Sequence, residues 1–277
     1  MHGSAGCVRG YMLALVVFLF VDAKAQAVFQ SPFARLQQSS LDSSASASVF
    51  TGLSYPASLG TPRMKWAVSF GKMWMVPGWN QWTGILQISH TKEVMSFALS
   101  HEQLNKTVQA QVCVRLAKVI GNGIAAGVLM GFSKSNITGY QAKYTPLARL
   151  GFQTQLAPTV LSSFGVTFQG KMYAPYQAKG PLFVSIQACT QLQINTTVIA
   201  LLQCQKQLFS EVEWMALLQY QPDKKIQLQI SCQSMPLWWA LKATFLVQYF
   251  PVSLSVALHP SLGAVSLFSF YNPILNK

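Results

Sequence analysis

In the stretch KKIQLQISCQS, residues 224 to 234, Ile226, Leu228, Ile230 and Cys232 alternate with Gln227, Gln229, Ser231 and Gln233. Successive side chains of an extended strand point to opposite faces, so this run has one apolar face and one face of neutral polar groups. A helix would scatter both sets around its axis. The pattern recurs along the chain. In KTVQAQVCVRLAK, Val108, Ala110, Val112, Val114 and Leu116 share one parity, while Gln109, Gln111, Cys113 and Arg115 share the other. PLFVSIQACTQLQ sets Val184, Ile186, Ala188 and Leu192 against Ser185, Gln187, Cys189, Gln191 and Gln193. FSEVEWMALLQY places Val212, Trp214, Ala216, Leu218 and Tyr220 opposite Glu211, Glu213 and Gln219.

Segments of this kind run at 64–75, 80–91, 93–102, 106–117, 122–133, 146–156, 160–170, 181–193, 195–206, 209–220, 223–233, 237–248, 251–259 and 262–272. These fourteen segments are each about ten residues long, the length of a tilted strand crossing a bilayer. GNG, QPDKK and HPSLG supply turn signals between them. Segments 93–102 and 262–272 alternate poorly, so twelve strands is the competing count. Antiparallel strands at this spacing build either a soluble sandwich or solenoid, or a closed membrane barrel, and the two differ in which face is wet. The outer face of a soluble sandwich carries Lys, Glu, Asp and Arg. Here the polar parity is mostly Gln, Ser, Thr and Gly, with isolated Arg115, Arg149, Glu211, Glu213 and Lys242. Such a face suits a lumen.

The expectation is therefore an all-β fold, a transmembrane antiparallel barrel of about 14 strands, with Arg115, Arg149, Glu211, Glu213, Gln227 and Gln229 facing the lumen. The two glutamates are expected to pair with the two arginines there. Trp66, Trp74, Trp79, Trp82, Tyr220, Trp238, Trp239 and Tyr249 fall towards strand ends, where aromatic girdles meet the membrane interface. The run 237–258 is long and apolar enough for a spanning helix, the lesser alternative, since Lys242, Gln248 and Pro251 interrupt it and both halves keep a period of two.

Composition agrees: 51% of the 277 residues are hydrophobic and 10% are charged, against roughly 25% charged in a soluble domain. No linker-like stretch divides the chain after residue 60, so one domain is expected. At the front, Arg9, an apolar run over 11–21 and the small-residue site Ala25-Gln26-Ala27 read as a cleaved signal peptide over 1–27. Its removal takes away two of 20 basic residues and one of 7 acidic ones, leaving a net charge of +12. The remaining basic residues are dispersed and match no nucleic-acid module, so the expected partner is membrane lipid, with no nucleic acid. Cys113 and Cys189 share one face and Cys204 and Cys232 the other, neither pair on neighbouring strands, so all four are expected as thiols.

Residues 28–63 are rich in small side chains. Asp42, Ala45, Ala47 and Phe50, then Tyr55-Pro56-Ala57-Ser58-Leu59, then Trp66, Val68 and Phe70 resemble the opening of the outer-membrane barrels of the PorV/PorQ group of type IX secretion, within the wider FadL-like group. Tyr55 stands where those families carry Asn. The resemblance implies that 28–63 is tucked into the lumen as a plug, with Asp42, Tyr55, Pro56 and Ala57 marking the plug and its turn, and that 64–277 forms the barrel. It implies the outer membrane of a Gram-negative-type cell and an accessory role in a protein-secretion assembly, with other secretion-machinery subunits as partners. The alternative is a FadL-like passive channel for small hydrophobic solutes. A longest unpatterned stretch of only ten residues, 171–180, favours the accessory role.

Enzymatic chemistry is not expected. His90, His101 and His259 have Ser89, Ser100 and Ser261 nearby, but no nucleophile elbow or orienting third group accompanies them. The sequence carries no metal-ligand spacing and no glycine-rich phosphate loop, so no cofactor or metal is expected.

Overall fold

The computed structural model describes residues 53, 56–58, 63–73, 78–90, 92–121, 123–138, 142–170, 183–207, 210–223, 225–234, 237–247, 250–259 and 263–271. Fourteen strands follow one another: β1 (Arg63–Met73), β2 (Trp79–Ser89), β3 (Glu93–Leu104), β4 (Thr107–Gly121), β5 (Ile124–Ile137), β6 (Lys143–Ala157), β7 (Val160–Gln169), β8 (Phe183–Gln193), β9 (Val198–Gln207), β10 (Val212–Asp223), β11 (Ile226–Ser234), β12 (Leu237–Val247), β13 (Phe250–His259) and β14 (Gly263–Tyr271). Each pairs antiparallel with its chain neighbours, and β1 pairs with β14, from Ala67 opposite Tyr271 to Met73 opposite Val265. The sheet is a closed barrel with no free edge, the one way a sheet satisfies every backbone group in hydrocarbon.

Each of the fourteen alternating segments overlaps one strand, including the two poor ones. Those two read badly because their inner faces are partly apolar. Val94 and Ala98 of β3, and Val265 and Leu267 of β14, are buried inside, all but Val94 packed in apolar clusters. Direct pairing keeps the two faces separate around the barrel: Ala67, Ile85, Ala98, Cys113 and Gly131 face each other in turn across β1 to β5.

The faces are inverted relative to a soluble protein. Among the described residues forty large apolar side chains are exposed, including Leu241 at 61%, Leu258 at 61% and Met130 at 57%, whereas Gln219 is 1% and Ser269 3% exposed. An apolar surface on that scale, far beyond the few hundred Å² a soluble monomer tolerates, is a lipid-facing belt. Charged side chains of this outer face keep towards the strand ends. Lys72 and Lys134 lie at one end, and Glu93 and Lys118, bonded at 2.7 Å, at the other.

Connections differ between the two ends. At the end where Arg63 and Tyr271 lie, the links are 90–92, 122–123, 158–159, 194–197, 224–225 and 248–249. At the far end they are 74–78, 105–106, 138–142, 170–182, 208–211, 235–236 and 260–262. Short turns on one side and longer loops on the other is the habit of outer-membrane barrels. The GNG signal does close a two-residue turn, with Gly123 at φ 74°, a left-handed conformation that glycine adopts without strain.

Of the aromatic residues expected in girdles, Trp66, Trp82, Tyr220 and Trp239 are exposed on the outer face. Trp79 and Trp238 are not part of a girdle: they are 4% and 5% exposed and pack inside the far end against Ala240, Ala257, Val265 and Leu267. Their parity explains it, since Trp79 aligns with Gln81 and Thr83, and Trp238 with Ala240 and Lys242. Trp74 and Tyr249 lie outside the described residues.

Candidate lumen site

Two arginines on adjacent parts of the inner wall organise the lumen. Arg115 of β4 and Arg149 of β6 both stand in register with Leu129 of β5, so they project into the barrel from the same height. Arg115 is 2% exposed. Its Nε donates to the Pro56 carbonyl at 2.9 Å, one terminal nitrogen donates to the Ser58 carbonyl and to Ser58 Oγ at 3.2 Å, and the other approaches Gln87 Oε1 and Ser96 Oγ, each at 3.4 Å. Arg149 donates from Nε to Thr167 Oγ1 at 2.8 Å and from a terminal nitrogen to the Leu53 carbonyl. Both guanidinium groups thus hold backbone carbonyls, those of Pro56 and Ser58 for Arg115 and that of Leu53 for Arg149. Burying a guanidinium is tolerable only where its donors are met, and main-chain carbonyls meet them here.

The segment rests on a floor made for it. Gly127, Gly151 and Gly165 stand opposite one another across β5, β6 and β7. A Cβ at Gly127 would overlap the Pro56 carbonyl, and one at Gly151 would come 3.0 Å from Pro56 Cδ. Pro56, Ala57 and Ser58 are buried there. Leu53 packs on the apolar patch of Ala67, Ile85, Ala98, Cys113 and Leu129, with Leu147 beside it. Glycine within a strand marks a close backbone approach, and Gly127 and Gly151, of one parity in successive strands, were the sequence signal for this floor; a Cβ at the paired Gly165 would meet only the Leu150 carbonyl.

At the far end the inward tryptophans are anchored through their indole N–H groups. Trp79 donates to Glu102 Oε1 at 2.6 Å. Trp238 donates to Gln233 Oε1 at 2.7 Å, and Gln233 in turn donates to Glu213 Oε2 at 3.1 Å. The opposite arc of the wall is amide-lined, with Gln187, Gln203, Gln205, Gln219, Gln227 and Gln229 all buried.

Of the residues expected to face the lumen, Arg115, Arg149, Glu213, Gln227 and Gln229 do so. Glu211 does not: it is exposed and precedes β10, at the barrel rim. For Arg115 the expected pairing with a glutamate is replaced by the carbonyls of Pro56 and Ser58 and by Gln87, Ser96 and Ser58 Oγ, while Glu213 lies at the tryptophan end, where it accepts from Gln233. Pro56 and Ala57 sit on the glycine floor, whereas Asp42 and Tyr55 lie outside the described residues. The histidines do not converge: His101 is stacked on outward-facing Trp82, His259 stands edge-on to Trp238, and His90 is exposed beyond β2. No disulfide joins Cys113, Cys189, Cys204 and Cys232.

Among solved structures the barrel is similar to several outer-membrane proteins. The toluene transporter TodX of P. putida aligns with a TM-score of 0.56 and 6% identity over 83% of this chain and 95% of that one. The CymD monoaromatic hydrocarbon channel aligns at 0.52 and 9% over 78% of this chain and 89% of that one. The Acinetobacter baumannii outer-membrane protein Omp33 aligns at 0.52 and 8% over 76% and 97%. At these identities the likeness is one of fold. No protein-family model matches the sequence, and no curated protein matches it.

Proposed function

We propose that the chain is a passive outer-membrane channel for small uncharged solutes, hydrophobic ones included, with Leu53 and Pro56 to Ser58 held in its lumen. The observation that carries this reading is the lumen itself, a closed barrel whose inner wall is mostly amides, hydroxyls and apolar patches, with Lys65 and Lys242 dispersed among them, around Leu53, Pro56 and Ser58 held by Arg115 and Arg149. A wall of this kind repels no uncharged solute and lacks the rings of like charge that make a pore ion-selective. The similarity to barrels described as hydrocarbon channels points the same way. On this reading 1–27 exports the chain, lipid surrounds it, and the plug extends over 28–63. A second reading, an accessory barrel of a secretion assembly, draws on the short connections, the longest being 170–182.

Solute flux separates the two. Full-length protein refolded into phosphatidylcholine vesicles should admit glycerol faster than empty vesicles do. Replacing both Arg115 and Arg149 by Met, which removes the bonds to the Leu53, Pro56 and Ser58 carbonyls, should raise that rate. Flux equal to that of empty vesicles for both proteins would rule out the channel and leave the accessory role.

A further inference from the structure

Glutamine is spread unevenly over the inner wall. Among the described residues ten glutamines are buried, and eight of them lie on β8 to β11. Register groups them: Gln187 stands opposite Gln205, Gln203 and Gln233 both stand opposite Met215, and Gln219 stands opposite Gln229. Between the Gln219–Gln229 row and the others, Leu201 and Leu217 face each other and join Cys189 and Met215 in one apolar patch. Trp238 stands opposite Gln233, with its indole N–H on the Gln233 amide oxygen.

These amides are not all used by the fold. Both amide atoms of Gln219 and the amide nitrogen of Gln187 meet no hydrogen-bond partner in the protein, although the two side chains are 1% and 6% exposed. A buried polar group without a partner is rare enough to require a reason. Each amide offers a donor and an acceptor without charge. An apolar patch bracketed by such groups complements a molecule with C–H faces and a rim of hydroxyls.

We propose that this arc of β8 to β11 is a binding subsite for a neutral polyhydroxylated solute of the saccharide type. The proposal rests on the channel reading above and names its substrate class. Maltose is the probe, titrated against tryptophan fluorescence of the full-length protein in phosphatidylcholine vesicles. The titration should saturate, and Gln219→Leu or Gln229→Leu should each weaken the apparent affinity by about tenfold, the order of one lost hydrogen bond. Gln81→Leu, on β2 away from the arc, should leave it unchanged, and an unaltered heat-modifiable gel shift shows that each variant has folded. A linear titration, or one that the two variants do not alter, overturns the subsite; glycerol flux in the same vesicles then shows that the channel stands. Loss of glycerol flux with a saturable, Gln219-dependent titration supports the subsite while overturning the channel.

Discussion

Leu241 lies near the middle of β12, is 61% exposed, and stands between Ile230 and Val256 on the neighbouring strands, both also exposed. Leu237 begins the same strand with the same orientation and 54% exposure. If this face meets hydrocarbon, Leu241→Arg places a cation near the bilayer midplane, at a cost of about 2–4 kcal/mol, whereas Leu237→Arg at the interface costs about 0–1 kcal/mol. The first value shifts the folding equilibrium by roughly 30- to 1,000-fold. Reversible urea unfolding in phosphatidylcholine vesicles, followed by tryptophan fluorescence, measures both. On a water-exposed face the two substitutions would be alike and within about 0.5 kcal/mol of the parent. Equal, small effects at the two positions would therefore refute the assignment of the apolar face to lipid.

The glycine floor makes a sharper claim about residues 56–58. Gly127→Ala should displace the Pro56 backbone and destabilise the protein by about 1–3 kcal/mol, while Gly84→Ala, where an added Cβ meets nothing within 4 Å, should be nearly silent in the same unfolding assay. Because Cys113, Cys189, Cys204 and Cys232 form no disulfide, reducing agent should change neither gel mobility nor the unfolding midpoint.

The barrel was legible because its period of two survives in nearly every strand, and lipid outside with amides inside imposes the strictest alternation on β2 and β11. Where the inner wall turns apolar, as at Val94 and Ala98 or Val265 and Leu267, both faces are oily and the pattern fades although the strand persists. The tryptophans show a related limit. Position near a strand end suggested a girdle for Trp79 and Trp238, yet their parity sends them inward, and parity decides. Arg115 and Arg149 were placed correctly by parity, but their partners were not, because main-chain carbonyls of a segment some sixty and ninety positions earlier leave no side-chain signature. The signature lay in the glycines opposite, at Gly127 and Gly151.

Neighbouring Trp238 and Trp239 put the inside-out architecture to its most direct trial, since they are 5% and 51% exposed and point to opposite faces of one strand. Two variants, each keeping one of these as the sole tryptophan, are refolded in vesicles whose lipid chains carry bromine. Strong quenching of Trp239 with little of Trp238 is the predicted result. Equal quenching of the two, or quenching of Trp238 alone, would contradict it.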